Sequence, residues 1–345
     1  MRRTPRRGIA AFSFLLAGLA GLAGLVGLAT ACTPETEAAG PPRQPPALES
    51  DALVTADGLK LPIMRWLPIA DEPKAIIVAL HGMNDYSNAF AMPGAWWAEH
   101  GIATYAYDQR CFGRAPQVGL WPGTHTLVAD LDAMVALMHE RYPKLPVYLL
   151  GESMGGAVAM AALARPDRPQ IAGAILAAPA VWGRATMDLG TRVALFLGAH
   201  SLPWYRLTGE GLHIVPSDNR AMLIALAHDP LVIKETRIDT VWGLVNLMDA
   251  ALAASQHLDD VPLLILYGEH DEVIPKEPTL DMIEALPPDP LHVRRIAIYP
   301  KGYHMLLRDL EAKTVWADVL AWIEDPKAPL PSGADRTGLA ALGKD

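Results

Sequence analysis

Short apolar runs alternate with amphipathic stretches along the middle of this chain. Runs of this length without a polar alternation predict strands that are buried on both faces of a sheet. Helical patterns, such as residues 126–141, lie between most of the runs. Alternating buried strands and helices predict a mostly parallel sheet with helices on both faces. The runs are residues 74–80, 102–107, 147–150, 174–178, 262–267 and 295–299.

A hairpin pattern precedes these runs. Residues 53–68 read LVTADGLKLPIMRWLP, in which Asp57-Gly58 separates two stretches rich in strand-favouring residues. An Asp-Gly pair in this position predicts a β-hairpin. With the six apolar runs, the hairpin leads us to expect an α/β fold built on an eight-stranded, mostly parallel sheet.

The alternation breaks between about residues 184 and 258, where helical patterns replace strong strand patterns. This stretch follows the predicted strand that ends at Ala178, so a helical insertion here would cover the strand ends as a lid. The alternative is a set of extra helices that enlarge the core. Aromatic side chains in this stretch are candidate substrate contacts: Trp204, Tyr205 and Trp242.

The N-terminus reads as an export signal. Residues 1–7 are MRRTPRR, and the following residues, up to Ala31, are almost wholly apolar and rich in Gly and Ala. A basic start followed by an apolar stretch is typical of a secretory signal peptide, which we assign to residues 1–31. The apolar stretch is also long enough for an uncleaved membrane helix, which is the alternative. The twin arginines leave the general and the twin-arginine export routes open.

Two cleavage patterns compete at the end of the signal. Residues 29–31, Ala-Thr-Ala, fit a small-residue cleavage site. Residues 28–32, LATAC, resemble a bacterial lipoprotein box, in which Cys32 would be lipidated and become the mature N-terminus. The Pro-rich stretch that follows would then act as a tether over residues 32–50. We therefore expect a lipid-anchored protein of the bacterial cell envelope, with a soluble periplasmic or secreted protein as the alternative.

Composition narrows the range of partners. The formal net charge is −9, although residues 1–31 contribute four Arg and no acid, so the rest of the chain is more acidic still. An acidic body argues against nucleic acid as a partner. The chain has only two cysteines, and Cys111 is left alone if Cys32 is lipidated. No Cys/His spacing indicates zinc. We expect neither a metal nor a cofactor.

The candidate nucleophile lies in GESMGG, residues 151–156. A Gly-x-Ser-x-Gly motif supports nucleophilic chemistry only where a buried strand precedes it and a helix follows it, because the serine occupies a tight, strained turn. The sequence before the motif is PVYLL, and the sequence after it is Ala-rich until Pro166. The context fits, so Ser153 is the candidate nucleophile.

A serine hydroxyl needs a base, and the base needs an orienting acid. The strand pattern PLLILY ends in GEHDE, residues 268–272, where Asp271 is favoured over Glu269 and Glu272 as the acid. The last strand pattern runs into KGYHMLL, which places His304 in a loop and makes it the candidate base. We read His292 as the start of a strand instead.

A tetrahedral intermediate also requires hydrogen-bond donors for its oxyanion. The residue after the serine, Met154, supplies one backbone N–H. The loop after residues 74–80 reads HGMND, where Gly82 permits a turn that aims the Met83 N–H inward. His81 precedes the serine in the chain, and we interpret it as a residue that shapes this loop.

Five segments together resemble the monoacylglycerol lipase and lysophospholipase-like group of α/β-hydrolases, of the serine aminopeptidase S33 type. The segments are HGMND, YDQRCFGR, GESMGG, GEHDEVIP and KGYHMLL. The similarity covers about residues 50–325. It implies an α/β-hydrolase fold, with Ser153 as nucleophile, Asp271 as acid, His304 as base, and Met83 and Met154 as oxyanion donors. At residues 108–113 the family usually has Asp-x-Arg-Gly-His-Gly. This chain has Cys111 and Phe112 in place of the Gly-His pair.

We therefore predict an α/β-hydrolase core over residues 51–183 and 259–325, a helical lid over 184–258 and a C-terminal tail over 326–345. The expected function is hydrolysis of a lipid-like carboxylic ester, as by a monoacylglycerol lipase or lysophospholipase. A short-chain carboxylesterase and an S33-type aminopeptidase are alternatives. A non-catalytic lipid-binding envelope protein is the alternative from another class. Epoxide hydrolases and haloalkane dehalogenases share the fold but carry Asp in place of the serine.

Overall fold

The computed structural model describes residues 32–69, 72–209, 211 and 213–336. The predicted signal segment, residues 1–31, lies outside the described residues, as do residues 337–345 of the predicted tail. Within the described part of the chain, no helix combines the length and apolar character needed to cross a membrane.

A nine-stranded sheet organises the described residues, in the order β1-β2-β3-β5-β4-β6-β7-β10-β11. The pairs from β5 through β4 to β11 are all parallel, whereas β1, β2 and β3 join antiparallel at one edge. The predicted α/β architecture is therefore confirmed. The strands are β1 Ala47–Leu48, β2 Ala52–Val54, β3 Lys60–Trp66, β4 Ala75–Leu80, β5 Ile102–Tyr107, β6 Val147–Glu152, β7 Gly173–Ala177, β10 Leu263–Gly268 and β11 Arg294–Tyr299.

The expected count of eight strands was wrong by one. The additional strand, β1, lies in the stretch interpreted as a tether and pairs with β2 through Ala47↔Val54 and Leu48↔Leu53. A strand of two residues carries too little pattern to be recognised in sequence, and its pairing comes from the neighbouring hairpin. The hairpin over β2 and β3 was predicted correctly.

Eight helices surround the sheet in the described residues. Alternate side chains of β4 point to opposite faces, so that Ile76 and Val78 join one apolar cluster and Ile77 joins the other. The helices are α1 Ala91–Glu99, α2 Thr124–Arg141, α3 Met154–Leu163, α4 Leu189–Ser201, α5 Arg220–His228, α6 Ile238–Ala254, α7 Lys276–Ala285 and α8 Ala312–Glu324. Helices α2, α3 and α6 contribute to the first cluster, and α1 and α8 to the second.

The insertion divides into two parts that behave differently. Helix α6 buries Leu247, Met248 and Ala251 in the main core, as the extra-core alternative expects. Helices α4 and α5 lie largely on the surface, as a lid would. Two short strands, β8 Arg206–Thr208 and β9 Glu235–Arg237, form an antiparallel pair that the sequence pattern did not show. The role of the insertion as a lid stays a prediction.

The two ends of the described chain pack against the domain. In the N-terminal segment, Glu37 donates its N–H to the carbonyl of Trp121 at 2.8 Å, and Ala39 donates to Thr126 Oγ1 at 3.2 Å. After α8, Leu330 is buried and Ser332 donates to the Asp318 carboxylate. In the described residues, neither stretch is a free tether or tail, because each packs against the domain and forms hydrogen bonds with it.

Candidate active site

Ser153 lies on the predicted turn between β6 and α3. Its backbone has φ 52° and ψ −114°, in the region that side chains other than glycine rarely adopt. Three backbone hydrogen bonds hold it there: Ser153 N–H donates to Ala177 O at 2.9 Å, and Ser153 O accepts from Ala157 at 3.1 Å and Ala180 at 2.9 Å. The strand–turn–helix context predicted from GESMGG is present, and it fixes the serine at the carboxyl end of a buried strand.

Two glycines of the motif allow the strand and helix to approach. A Cβ on Gly155 would lie 2.1 Å from the carbonyl oxygen of Leu80, and one on Gly151 would lie 2.5 Å from the carbonyl carbon of Gly155. Distances this short are steric clashes with backbone atoms, which cannot move aside as a flexible side chain could. The turn therefore needs glycine at both positions.

Asp271 and His304 are in direct contact. His304 Nδ1 lies 2.8 Å from Asp271 Oδ2, and both side chains are buried. Asp271 Oδ1 accepts from the backbone of Val273 at 2.8 Å and of Ile274 at 2.9 Å, which fixes the carboxylate. A carboxylate can only accept, so Nδ1 carries the proton and Nε2 is left as the basic nitrogen.

The residues that competed with Asp271 and His304 for the roles of acid and base lie elsewhere. Glu269 is exposed, and Glu272 is an exposed carboxylate that accepts from the Val215 N–H at 2.7 Å. His292 is exposed and sits in a turn with φ 55°, two residues before β11 begins. Its interpretation as the start of a strand was therefore wrong, because the strand begins only at Arg294.

The HGMND loop lies beside Ser153, the candidate nucleophile. A Cβ on Gly82 would be 3.4 Å from the Ser153 Cβ, so the backbone that leads to Met83 borders the serine. His81 is fully buried, with Nδ1 2.8 Å from Gly82 O and Nε2 3.0 Å from the Gln109 N–H, which it accepts. Burial lowers the pKa of His81. These contacts suit a neutral imidazole that shapes the loop.

Met154 is the first residue of α3. Backbone N–H groups in the first turn of a helix have no acceptor within the helix, so they remain available to a ligand.

Among the described residues, no cluster of three or more His, Cys, Asp or Glu side chains is arranged to hold a metal ion.

A family profile described as serine aminopeptidase, S33, matches residues 71–311. The chain belongs to this family. Among curated relatives, a monoacylglycerol lipase of Mycolicibacterium smegmatis is 26% identical over 77% of this chain and 93% of the relative. A human monoglyceride lipase is 27% identical over 85% of this chain and 97% of its own length. Both alignments span nearly the whole relative.

Solved structures support the same fold. A soluble variant of monoglyceride lipase from Saccharomyces cerevisiae, in complex with a substrate analogue, superposes with a TM-score of 0.68. It is 19% identical, and the alignment covers 86% of this chain and all of that one. The α/β-hydrolase fold that the resemblance implied is thereby confirmed.

This S33 member carries a buried charge network beneath the site that the sequence reading missed. Arg308 Nη1 lies 2.7 Å from Asp85 Oδ2, and Arg308 Nη2 lies 3.1 Å from Glu152 Oε2. Asp85 belongs to the HGMND loop, and Glu152 directly precedes Ser153, so one guanidinium joins both to the loop after His304. The sequence feature that could have indicated this network is the charged pair Arg308-Asp309, which directly follows an apolar stretch.

The network is held out of water. Burial raises the pKa of Glu152, although the positive charge of Arg308 opposes that shift. Burial also disfavours the charge of Arg308, but its contacts with Glu152 and Asp85 outweigh burial and leave its pKa above the usual value. Removing one member would therefore strand charge in a low-dielectric environment.

The segment that departs from the family pattern keeps a tight turn. Cys111, at the usual Gly position, has φ 67° and is buried, so this chain places a side chain in a conformation that favours glycine. Asp108 accepts from the backbone of Ser87 at 3.0 Å and from the backbone of Arg114 at 2.9 Å. Phe112 packs edge-on against His81 with ring centroids 5.7 Å apart. The turn thus supports the HGMND loop.

The candidate substrate contacts lie on the insertion. Trp204 and Tyr205 are each more than half exposed. Trp242 packs against His200 at 5.1 Å between ring centroids, and its ring lies 4.3 Å from the Arg184 guanidinium. In the described residues, no hydrogen bond or ring contact joins these three aromatic side chains to Ser153, Asp271 or His304. Their role as substrate contacts stays a prediction.

We expect Gly155→Ala to destabilise the fold by about 3 kcal/mol or to prevent folding, because overpacking against backbone lies at the costly end of its usual range. Gly209→Ala is the matched control, since a Cβ there meets open space. Urea unfolding of both variants measures the difference. Equal stability would contradict the close approach at the turn.

We expect Arg308→Met to lower the free energy of unfolding by about 3–5 kcal/mol, as removal of one partner from a buried ion pair usually does. Lys301→Met is the control, because Lys301 pairs with Glu311 at 2.7 Å on the surface. The control should unfold like the wild type. An Arg308→Met protein with wild-type stability would contradict the proposed importance of the buried network.

Proposed function

We propose that this chain is a serine hydrolase that cleaves carboxylic esters through an acyl-enzyme, with a monoacylglycerol or lysophospholipid as its substrate. The observation that carries this proposal is the 2.8 Å contact between His304 Nδ1 and Asp271 Oδ2, at the same sheet edge as the strained Ser153 turn. Parallel neighbours β6, β7, β10 and β11 bring the three residues to one edge.

The proposed reaction begins with the basic Nε2 of His304. It takes the proton of Ser153 Oγ as this oxygen attacks the ester carbonyl. Asp271 keeps the imidazole oriented and stabilises its cationic form. The imidazolium then gives its proton to the departing alcohol, and the acyl group remains on Ser153. His304 then takes a proton from water, and the resulting hydroxide attacks the acyl carbonyl. The imidazolium returns this proton to Ser153 Oγ as the bond between Ser153 and the acyl group breaks, which releases the carboxylic acid and restores the enzyme.

Met83 and Met154 are proposed to stabilise the tetrahedral oxyanion through their backbone N–H groups. Support comes from Gly82, whose backbone borders Ser153, and from the position of Met154 at the start of α3. Donors that are already in place need no reorganisation when the charge develops. Loss of one such donor typically slows a related reaction by about 100- to 1000-fold.

A lipid-like substrate is favoured by the surface of the insertion and by the relatives. Most of the large apolar side chains that are exposed in the described residues lie between Leu189 and Ile224. Such a concentration usually marks a surface that meets apolar material. The curated relatives described above act, by their names, on monoacylglycerols. The family description leaves peptide amides as a second candidate.

An aminopeptidase would need acids in the insertion to hold the substrate ammonium, and three were considered for this role: Asp188, Glu210 and Asp218. Two of them have other partners. Asp188 caps α4 by accepting from the Thr191 N–H at 3.0 Å, and Asp218 accepts from the Leu310 N–H at 2.8 Å. Glu210, the third acid considered, lies outside the described residues. Engaged carboxylates are poorly placed to hold a substrate ammonium, which favours ester over aminoacyl amide hydrolysis.

We expect the wild type to hydrolyse long-chain monoacylglycerols faster than p-nitrophenyl acetate or aminoacyl amides, and Ser153→Ala to lose this activity by at least about 10³-fold. Asp271→Asn should retain binding and lose turnover, because the imidazole then adopts the wrong tautomer. Steady-state kinetics across acyl chain lengths, with lysophospholipids in parallel, measure both effects.

Ser50→Ala is the control for the serine variant, since Ser50 is exposed at the domain surface. Turnover limited to short esters would replace the lipase proposal with a general carboxylesterase, and preference for amides would favour the aminopeptidase. Absence of both turnover and labelling of Ser153 by a fluorophosphonate would favour a non-catalytic lipid-binding protein.

We also propose that Cys32 carries a lipid that holds the enzyme to a membrane of the bacterial envelope. Glu35 forms an ion pair of 2.7 Å with Arg237, next to Ile238, whose N–H donates to Tyr205 O at 2.9 Å. Three residues of chain span at most about 10 Å, so Cys32 emerges near the exposed aromatic side chains of the insertion. An anchor there would bring the apolar surface to the bilayer.

We expect Cys32→Ser to move the protein from the membrane fraction to the soluble fraction and to abolish incorporation of labelled palmitate, because the acylated thiol is lost. Cys111→Ala is the control, since Cys111 is the other cysteine and is buried. Fractionation and metabolic labelling of full-length protein measure the effect. Membrane retention of an unlabelled Cys32→Ser protein would indicate an uncleaved helix instead.

A further inference from the structure

The backbone on either side of His304 is held by hydrogen bonds. The N–H of Tyr303 donates to Asp309 Oδ2 at 2.8 Å, and the N–H of Met305 donates to Pro216 O at 2.9 Å. Pro216 belongs to the insertion, whereas Asp309 belongs to the loop that carries His304. The position of the His304 imidazole therefore depends on the Asp309 carboxylate on one side and on the insertion on the other.

A short strip of the insertion, residues 215–219, connects these two supports and is called the brace here. Ser217 Oγ donates to Asp309 Oδ1 at 2.6 Å, so Asp309 links the brace to the Tyr303 N–H. Asn219 Nδ2 donates to the carbonyl of Arg308 at 2.8 Å. At the other end of the brace, the N–H of Val215 donates to the carboxylate of Glu272, which directly follows Asp271.

The contact between Ser217 and Asp309 is shielded from water, since the two residues are 1% and 5% exposed. Burial raises the pKa of Asp309 to about 6, while Ser217 and the Tyr303 N–H oppose the shift. At neutral pH the carboxylate is ionised and accepts from both donors. Charge-assisted hydrogen bonds in a buried place are short and strong, and a lost partner is not replaced by water.

We infer that Asp309 and Ser217 are positioning residues for His304, and that through them the insertion sets the geometry of the base. This inference rests on the proposed function, because it assumes that His304 is the base. Neither residue is proposed to touch substrate. A displacement of about 1 Å in a reacting group can slow catalysis about 100-fold, so a loosened brace would lower turnover while leaving substrate affinity nearly intact.

The test compares kcat and KM of Ser217→Ala, Asp309→Asn and the double variant in the full chain. We expect each single variant to lose about 10- to 100-fold in kcat with KM changed less than about twofold. The double variant should be no slower than Asp309→Asn, because both substitutions break the same link. Ser217→Ala removes one hydroxyl and keeps the experiment informative if Asp309→Asn fails to fold.

Ser255→Ala is the matched control for a purely structural effect. Ser255 is also fully buried and donates its hydroxyl to Leu252 O at 2.6 Å, at the end of α6. It should lower stability with unchanged kcat. As a direct readout, the downfield proton NMR signal of His304 Nδ1–H, bonded to Asp271, should shift or broaden in Ser217→Ala and stay unchanged in Ser255→Ala.

Wild-type kcat and an unchanged His304 signal in a destabilised Ser217→Ala protein would overturn the inference, and so would additive losses in the double variant. Failure of the proposed function looks different. In that case Ser153→Ala and His304→Ala would both retain hydrolysis, whatever the brace variants do.

Discussion

The left-handed backbone of Ser153 is the constraint on which the rest of the site depends. A residue other than glycine at φ 52° is strained, and it persists only because the surrounding structure determines it. The carbonyl of Ala177 and the N–H groups of Ala157 and Ala180 bond to its backbone on both sides. The central strands and α3 thus fix the hydroxyl before any substrate arrives.

A buried network of ion pairs and hydrogen bonds connects the loops around this serine. Arg308 connects Asp85 of the HGMND loop to Glu152, the residue before Ser153. Its neighbour Asp309 connects the His304 loop to the insertion through Ser217. Two successive charged residues therefore join four segments that are distant in sequence. Because these contacts are buried, a lost partner would be costly, and the network therefore rigidifies the loops.

Local pattern was sufficient for much of this structure. Strand β5 was placed to the residue and the other central strands to within one or two residues, because the length of an apolar run bounded by turns favours a strand over a helix. The elbow around Ser153 and the pairing of Asp271 with His304 followed from motif context and chain order. In contrast, β1, β8 and β9 depend on partners rather than on their own residues.

The charge network and the brace could not be read from the chain for a different reason. Asp85, Glu152 and Arg308 are separated by long stretches, and the pattern of each alone fits an ordinary surface charge. Their burial appears only when the carboxyl ends of the strands converge. The same holds for Ser217, which lies in a segment whose sequence shows no periodicity, and for the N-terminal segment that packs against Trp121.

Trapping the acyl-enzyme would show directly whether Ser153 is the nucleophile. The enzyme would be mixed with a long-chain p-nitrophenyl ester, quenched in acid before deacylation is complete, digested and examined by mass spectrometry. We expect one added acyl group on the peptide that contains Ser153. Turnover without an acylated Ser153, or acylation of another residue that is kinetically competent, would contradict it.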